Sequence, residues 1–336
     1  YYSPIYTHLL VTQFLGGTMI ADLKAGQKIT DFFVLRHKEI RTKKDSDEIY
    51  LALELGDASG RIFGSYWGDA SAVESCLNAG TLVKIRATVI EWHNQHHLSI
   101  DKIRSANDDD NISLELFLPH AKEPLSSLLE DYDAFIKQIK NRHLKQLFKK
   151  LLNDSDFKRL LQKAPGGKLW HHCYLGGLLE HSNSVARLVC ALSENYEHMN
   201  RDLLLAGALL HDVGKVQEYK WHGYIDFSDA GRLQGHIAIG YHIVAPCIDS
   251  IRDFPDSLRN ELLHLVLSHQ GQKEHGSPIP PMTREAIILN YADEIDSKLG
   301  AFERIYEKEK APDKAWSNYV KLLDRFLYFG RPGKMP

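Results

Sequence analysis

Leu203–Lys215 reads LLLAGALLHDVGK, an apolar run that ends in an adjacent histidine and aspartate. Leu204, Ala208 and His211 stand at i, i+4 and i+7, so the histidine inherits the buried face of a helix, with Asp212 about 100° further round. Gly214 then reads as a left-handed cap that ends the helix. A buried imidazole beside a buried carboxylate is costly unless something pairs with it, and a metal is the usual partner. The competing reading is a helix end whose histidine is satisfied by ordinary hydrogen bonds.

The rest of the chain bounds what such a helix can belong to. Its 336 residues leave room for two domains, and 43% apolar with 25% charged residues is an ordinary soluble composition. A formal net charge of -3 excludes a global basic field, so any nucleic-acid surface must be local. Cys76, Cys173, Cys190 and Cys247 form no CxxC pair and no secreted-type framework, which favours a reducing cytoplasm. No apolar run approaches the ~20 residues that span a bilayer, so no membrane partner is expected. Eighteen histidines raise the prior for a metal site. Residues 1–18 do not lead into the pattern that follows Met19 and read as a leader or extension.

Residues 19–106 make up the first domain, and from Lys28 to about Ser105 they read as strands. Ile49, Leu51, Leu53 and Leu55 alternate with Tyr50, Ala52 and Glu54, and Val83, Ile85, Ala87 and Val89 alternate with Lys84, Arg86 and Thr88. Gly56–Gly60 is a turn, Asp69–Leu77 a short helix, and His93–Gln95 turns into a last strand at His97–Ile103. Three strands, a helix and two strands is the order of an OB-fold barrel, an architecture that often binds single-stranded nucleic acid. Tyr50, Trp67 and Trp92 are the candidate stacking rings, and Lys84 and Arg86 the candidate phosphate contacts; the alternative is an ordinary outward face.

Asn107–Asn111 is an acidic, turn-prone break that opens a linker and helical connector over 107–168. Leu125–Leu152 and Asp156–Gln162 show helical spacing, with Lys137, Lys140, Arg142, Lys145, Lys149 and Lys150 making a basic stripe. From 169 to 310 the chain is mostly helical, with turn-rich insertions at Tyr219–Gly231 and Gly271–Pro281. A C-terminal helix and tail are expected over 311–336, where Trp316, Tyr319, Leu322, Phe326 and Phe329 would pack against the protein's own core or against a second copy, leaving a homo-oligomer open. The fold class is therefore multidomain, an all-β OB-fold barrel followed by an all-α domain.

Within the helical part, His181 shares a face with Leu178, Val185, Leu188 and Leu192, and Asp293 lies one turn after Leu289. His236 follows Gly231-Arg-Leu-Gln-Gly, and His269 stands in Leu267-Ser-His-Gln-Gly. His181, His211, Asp212 and Asp293 at otherwise apolar positions are hard to explain without a cation. Their order resembles the metal-binding signature of the HD-domain phosphohydrolase superfamily. Leu175-Gly-Gly-Leu-Leu-Glu-His181, His211-Asp-Val-Gly-Lys215, Gly231-Arg-Leu-Gln-Gly-His236, Gly276-Ser-Pro278 and Tyr291-Ala-Asp-Glu-Ile-Asp296, behind an OB-like domain, resemble the YhaM-type 3′→5′ exoribonucleases.

The resemblance implies an all-helical HD domain holding a divalent metal through His181, His211, Asp212 and Asp293. It implies that His236 and His269 hold a second metal or contact phosphate, although Gln270 stands where a paired histidine is expected; nearby His275 is an alternative donor. A mixed imidazole and carboxylate set suits Mn²⁺, Fe²⁺, Co²⁺ or Zn²⁺; Mn²⁺ is the first candidate, with Co²⁺, Fe²⁺, Zn²⁺ or Mg²⁺ as alternatives. Asp212 is the candidate to orient the attacking water, and Lys215 and Arg232 are the candidate phosphate contacts. Glu180, Glu274 and Asp296 are candidates to position ligands. The expected activity is metal-dependent 3′→5′ hydrolysis of single-stranded RNA, or DNA, to nucleoside monophosphates. The alternatives are an HD phosphohydrolase of mononucleotides or cyclic nucleotides, and a non-catalytic nucleic-acid-binding accessory protein.

Overall fold

Alternating apolar residues wrap the first part of the chain into a closed barrel. The strands are β1 (Lys28–Thr42), β2 (Ile49–Gly56), β3 (Arg61–Tyr66), β4 (Leu82–Trp92) and β5 (Gln95–Ser105), in the order β1-β2-β3-β5-β4, with the β3–β5 pair parallel. Leu51, Leu53 and Leu55 of β2, Val83, Ile85, Ala87 and Val89 of β4, and Leu98 and Ile100 of β5 meet inside. Each such leucine or isoleucine contributes roughly 1.5–3 kcal/mol by leaving water. Helix α1 (Ala70–Cys76), capped by Asp69 accepting from Ala72 N, lies between β3 and β4 and buries Ala70; Leu77 just beyond it is buried too. His93 and Asn94, both at positive φ, form the two-residue β4–β5 turn that the right-handed strand twist favours. This helix placement and barrel order are those of the OB-fold.

The computed structural model describes residues 18–44, 46–311 and 313–330. The expected leader, apart from Thr18, lies outside these residues. The chain divides into two compact units, and the barrel unit runs to Lys122 and includes Lys220–Asp226. The acidic break is thus not the boundary. Asp110 accepts two 2.7 Å bonds from Arg104 of β5, and Phe117 joins Val34 and Leu82 in a small second core, which ties the segment after the break to the barrel.

The second unit contains α2 (Leu125–Gln138), α3 (Arg142–Asn153), α4 (Ser155–Lys163), α5 (Gly177–Ser193), α6 (Arg201–Leu210), α7 (Lys215–Glu218), α8 (Asp229–Asp249), α9 (Asp256–Ser268) and α10 (Arg284–Glu309). The helical spacing over 125–152 is interrupted at Ile139–Asn141, where the Asn141 side chain accepts from His143 N and Leu144 N and starts α3 afresh. Helix α6 is buried at every position from Leu203 to Leu210, so it is the central rod rather than a one-sided amphipathic helix. It packs against α2, α3, α5, α9 and α10. A Cβ at Gly207 would stand 2.2 Å from Leu265 of α9, so the glycine permits that close crossing.

Gly214 is not a left-handed cap; its φ of -63° is right-handed. A Cβ there would stand 1.9 Å from the carbonyl oxygen of His236 and 2.6 Å from the nitrogen of Gly240, so the residue is a contact point for α8. The expected C-terminal helix is absent among the described residues 313–330, which fold back through antiparallel bridges at Trp316–Tyr328 and Val320–Arg325. Glu309 draws this return in, accepting from Lys314 Nζ and Asn318 N at 2.7 Å. Phe329 packs its ring against Phe302 and Tyr306 of α10, while Trp316, Tyr319, Leu322 and Phe326 are exposed.

The buried Tyr132 hydroxyl of α2 donates 2.8 Å to the carbonyl oxygen of Leu209 in the last turn of α6. Tyr132→Phe is expected to destabilise the protein by about 1–3 kcal/mol, the cost of leaving a buried acceptor unmet. Denaturant unfolding checks this, and an unchanged midpoint would show that the carbonyl finds another donor.

Candidate metal centre and nucleic-acid surface

Five elements bring six metal-ligand-type side chains together: His181 from α5, His211 and Asp212 from the end of α6, His236 from α8, His269 just past α9, and Asp293 from α10. Inside α8, Gly235 has φ 72° and ψ 157°, a conformation that only glycine adopts freely. The break lets the first turn of α8 diverge from the rest and places His236 at the start of the second piece.

Asp212 is shared by two sets. Its Oδ2 lies 3.3 Å from His181 Nε2 and 3.5 Å from His211 Nε2. Its Oδ1 lies 3.3 Å from His236 Nε2 and 3.4 Å from His269 Nε2. Asp293 Oδ1 completes the first set at 3.2 Å from His181 Nε2 and 3.9 Å from His211 Nε2. In each of the groups His181/His211/Asp293 and Asp212/His236/His269, the donor atoms all lie within 4.8 Å of one another.

Every imidazole presents Nε2 to the centre because its Nδ1 faces an acceptor elsewhere. His211 Nδ1 lies 2.9 Å from the Ala208 carbonyl and His269 Nδ1 2.8 Å from the Val266 carbonyl. His181 Nδ1 faces Asp296 Oδ2 at 2.7 Å, and His236 Nδ1 faces Glu218 Oε1 at 3.2 Å. With Nδ1–H donating outward, a neutral ring has a bare lone pair at Nε2, which is the form a metal requires.

The donor set fits a cation. Asp212 Oδ1, His236 Nε2 and His269 Nε2 are buried and, although Oδ1 lies within 3.4 Å of both nitrogens, none makes a hydrogen bond among the described residues, an expensive arrangement unless an ion faces them. His181 Nε2 and His211 Nε2 stand 3.1 Å apart, and Asp293 Oδ1 faces both. Burial disfavours a charged His181, but Asp212, Asp293 and Asp296 outweigh it and raise its pKa well above the ordinary imidazole value. Burial likewise opposes ionisation of Asp212, yet Lys215, His211 and His181 hold its carboxyl well below the usual range.

The other residues named from the sequence fall in several places. Lys215 is buried with its Nζ 2.5 Å from Asp212 Oδ2, and although burial opposes its charge, Asp212 raises its pKa. Arg232 holds its guanidinium 5.5 Å from the Phe227 ring centre, which Lys168 Nζ also approaches at 5.5 Å. Asp296 backs His181, and Glu180 accepts from the Tyr174 hydroxyl at 2.5 Å. Glu274 and His275 are exposed in a short turn and belong to none of the metal-ligand groups found among the described residues. Glu218, His171 and His172 escaped sequence reading: Glu218 has no periodic signature, and only the adjacency of His171 and His172 could have drawn notice.

On the barrel, Tyr50 and Trp67 stack with ring centres 4.6 Å apart, and Lys43 Nζ lies 5.8 Å from the Trp67 ring. Lys84 is engaged by the Phe32 ring and by Asp110, and Arg86 Nε lies 3.9 Å from Asp101. Trp92 stands at the β4–β5 tip, 61% exposed. The strand register reveals an outward row not seen in the sequence: Glu54, Phe63, His97 and Ile90 are neighbours across β2, β3, β5 and β4. The adjacent row is Ala52, Ser65, Ser99 and Thr88, and Phe63 is 56% exposed.

The HD domain family profile matches residues 178–298. The 3′-5′ exoribonuclease YhaM of Bacillus velezensis is 30% identical over 305 residues, 91% of this chain and 96% of its own length. That of Bacillus licheniformis is 29% identical over the same shares. The second OB-fold domain of replication protein A from Methanococcus maripaludis aligns with 27% of this chain and 95% of its own, at 20% identity and a TM-score of 0.23.

The raised His181 pKa sets the direction of a pH effect. Its proton stabilises the metal-free fold most fully below the unfolded imidazole range, and that contribution is lost as pH rises through the elevated value. An ion must displace this proton, so metal affinity should rise with pH. Titration calorimetry near neutral pH in buffers of different ionisation enthalpy should detect proton release; identical heats after correction for dilution would contradict it.

Proposed function

The chain belongs to the YhaM family of 3′-5′ exoribonucleases, and we infer that it removes nucleotides from the 3′ end of RNA by metal-dependent phosphodiester hydrolysis. The observation that carries the metal reading is the division of Asp212: one oxygen toward His181 and His211, the other toward His236 and His269. A divalent ion in such a set supplies a Lewis acid for phosphoryl oxygens and a water acidic enough to attack near neutral pH. His181, His211, Asp212 and Asp293 would hold one ion, and Asp212, His236 and His269 a second. Mn²⁺ is the proposed metal, and a mixed imidazole and carboxylate set without thiolate also suits Fe²⁺, Co²⁺ and Zn²⁺.

The chain's own groups prepare the reaction. Lys215 keeps Asp212 ionised and adds a cation where phosphoryl charge builds. Arg232 and Lys168 beside Phe227 offer positive charge to the strand's phosphates. On the barrel, Tyr50, Trp67, Phe63 and Trp92 provide ring faces for bases, a contact worth ~1–3 kcal/mol per base. The proposed partner is single-stranded RNA, as in the exoribonuclease relatives, with single-stranded DNA as the alternative. The four free cysteines suit the reducing cytoplasm.

With Mn²⁺ present, 5′-labelled single-stranded RNA should shorten progressively from its 3′ end to monophosphates, and Asp212→Ala should reduce the rate by at least ~10³-fold. An intact strand, or fragments from internal cleavage, would count against the reading. Metal analysis of the loaded protein should find two ions per chain, and His236→Ala should retain about one. A single ion in the wild type would leave His236 and His269 as phosphate contacts.

A further inference from the structure

His172 lies before the matched HD-domain residues, yet its ring reaches the back of the metal centre. Its Nε2 is 2.9 Å from Asp296 Oδ2, the same oxygen that His181 Nδ1 approaches at 2.7 Å. Ser184 Oγ donates to the other oxygen, Asp296 Oδ1. On its far side His172 Nδ1 is 2.9 Å from the Tyr174 hydroxyl, which donates to Glu180 Oε2. The connected order is therefore Glu180, Tyr174, His172, Asp296, His181 and then the ligand set.

The directions of these bonds say what His172 does. The single Tyr174 proton goes to Glu180, so the hydroxyl can only accept from His172 Nδ1, and ionised Asp296 can only accept from Nε2. The ring thus donates from both nitrogens and sits between two carboxylates. Asp296 is in turn gripped by three donors, which fixes the carboxylate that orients His181. His172, His181 and Asp296 also have donor atoms within 4.8 Å, the spacing of a third ion site. That arrangement would require His181 to surrender its Nδ1 proton and bridge two ions, whereas every atom concerned already has a hydrogen-bond partner.

We propose that His172 is a positioning residue of the metal centre, clamping Asp296 so that His181 Nε2 stays aimed at the first ion; this rests on the metal reading of the centre. The test is Mn²⁺ binding by the full chain, followed by electron paramagnetic resonance of free Mn²⁺, with thermal melting as the control for folding. His172→Ala should weaken the first site, built on His181, His211 and Asp293, by roughly 10–100-fold, the usual effect of removing a group that backs a ligand. The site built on His236 and His269 should keep its affinity. His172→Gln, which retains an N–H for Asp296, should recover part of the loss, and it serves in place of the alanine variant if that fails to fold. His172→Ala and Asp296→Ala combined should cost less than the sum of the two.

Wild-type affinity in both His172 variants would overturn the proposal, as would additive losses in the double variant or equal weakening of both sites. Loss of one whole ion with the remaining sites unaltered would identify a third metal and overturn it too. If the wild-type chain bound no Mn²⁺, the metal reading itself would fall, an outcome separate from any of these.

Discussion

A carboxylate buried among imidazoles is the constraint from which the helical unit follows. Asp212 is 1% exposed and meets four histidines and a lysine. No such cluster is stable in an apolar interior as isolated charges, so its members must be held by groups that compensate them. Helix α6 delivers His211 and Asp212 to the middle of the unit because it is apolar on every side and can be surrounded. The other donors then arrive on the helices packed around it. Gly207 and Gly214 are small for the same reason: at each, another helix passes too close for a side chain.

Much of this was legible because the chemistry contradicts the local pattern. His181, His211 and Asp293 occupy positions where helical spacing calls for leucine, and that conflict is visible without coordinates. The second set was less legible. His236 and His269 stand beside glycines, and Gln270 in place of a second histidine argued against an ion, but the sequence cannot display that Asp212 has two oxygens facing opposite ways. Glu218 and His172 were invisible as parts of the centre because their roles come from tertiary proximity alone. The Gly214 reading failed for a related reason: glycine serves both positive φ and close approach, and sequence does not separate the two.

The barrel shows the same division. Period-two alternation in β2 and β4 gave the strands and the inward faces, and the short helix between β3 and β4 gave the OB order. The outward surface depends on register between strands distant in sequence. Phe63 and His97 are neighbours only because β3 and β5 run parallel, a pairing that neither strand encodes by itself. The C-terminal aromatic residues carried spacing compatible with a helix, but pairing across Trp316 and Tyr328, together with the draw of Glu309, won.

The anchoring of the four imidazoles is unequal in a regular way. In each ligand set one ring leans on a carbonyl of its own helix end, Ala208 for His211 and Val266 for His269, while the other leans on a distant carboxylate, Asp296 for His181 and Glu218 for His236. A main-chain carbonyl survives almost any substitution; a carboxylate does not. Each set therefore has one durable half and one erodible half. During divergence, a relative could keep all six ligands and still lose its grip on one ion through a change at the erodible support, so a search that counts ligands alone would misjudge it.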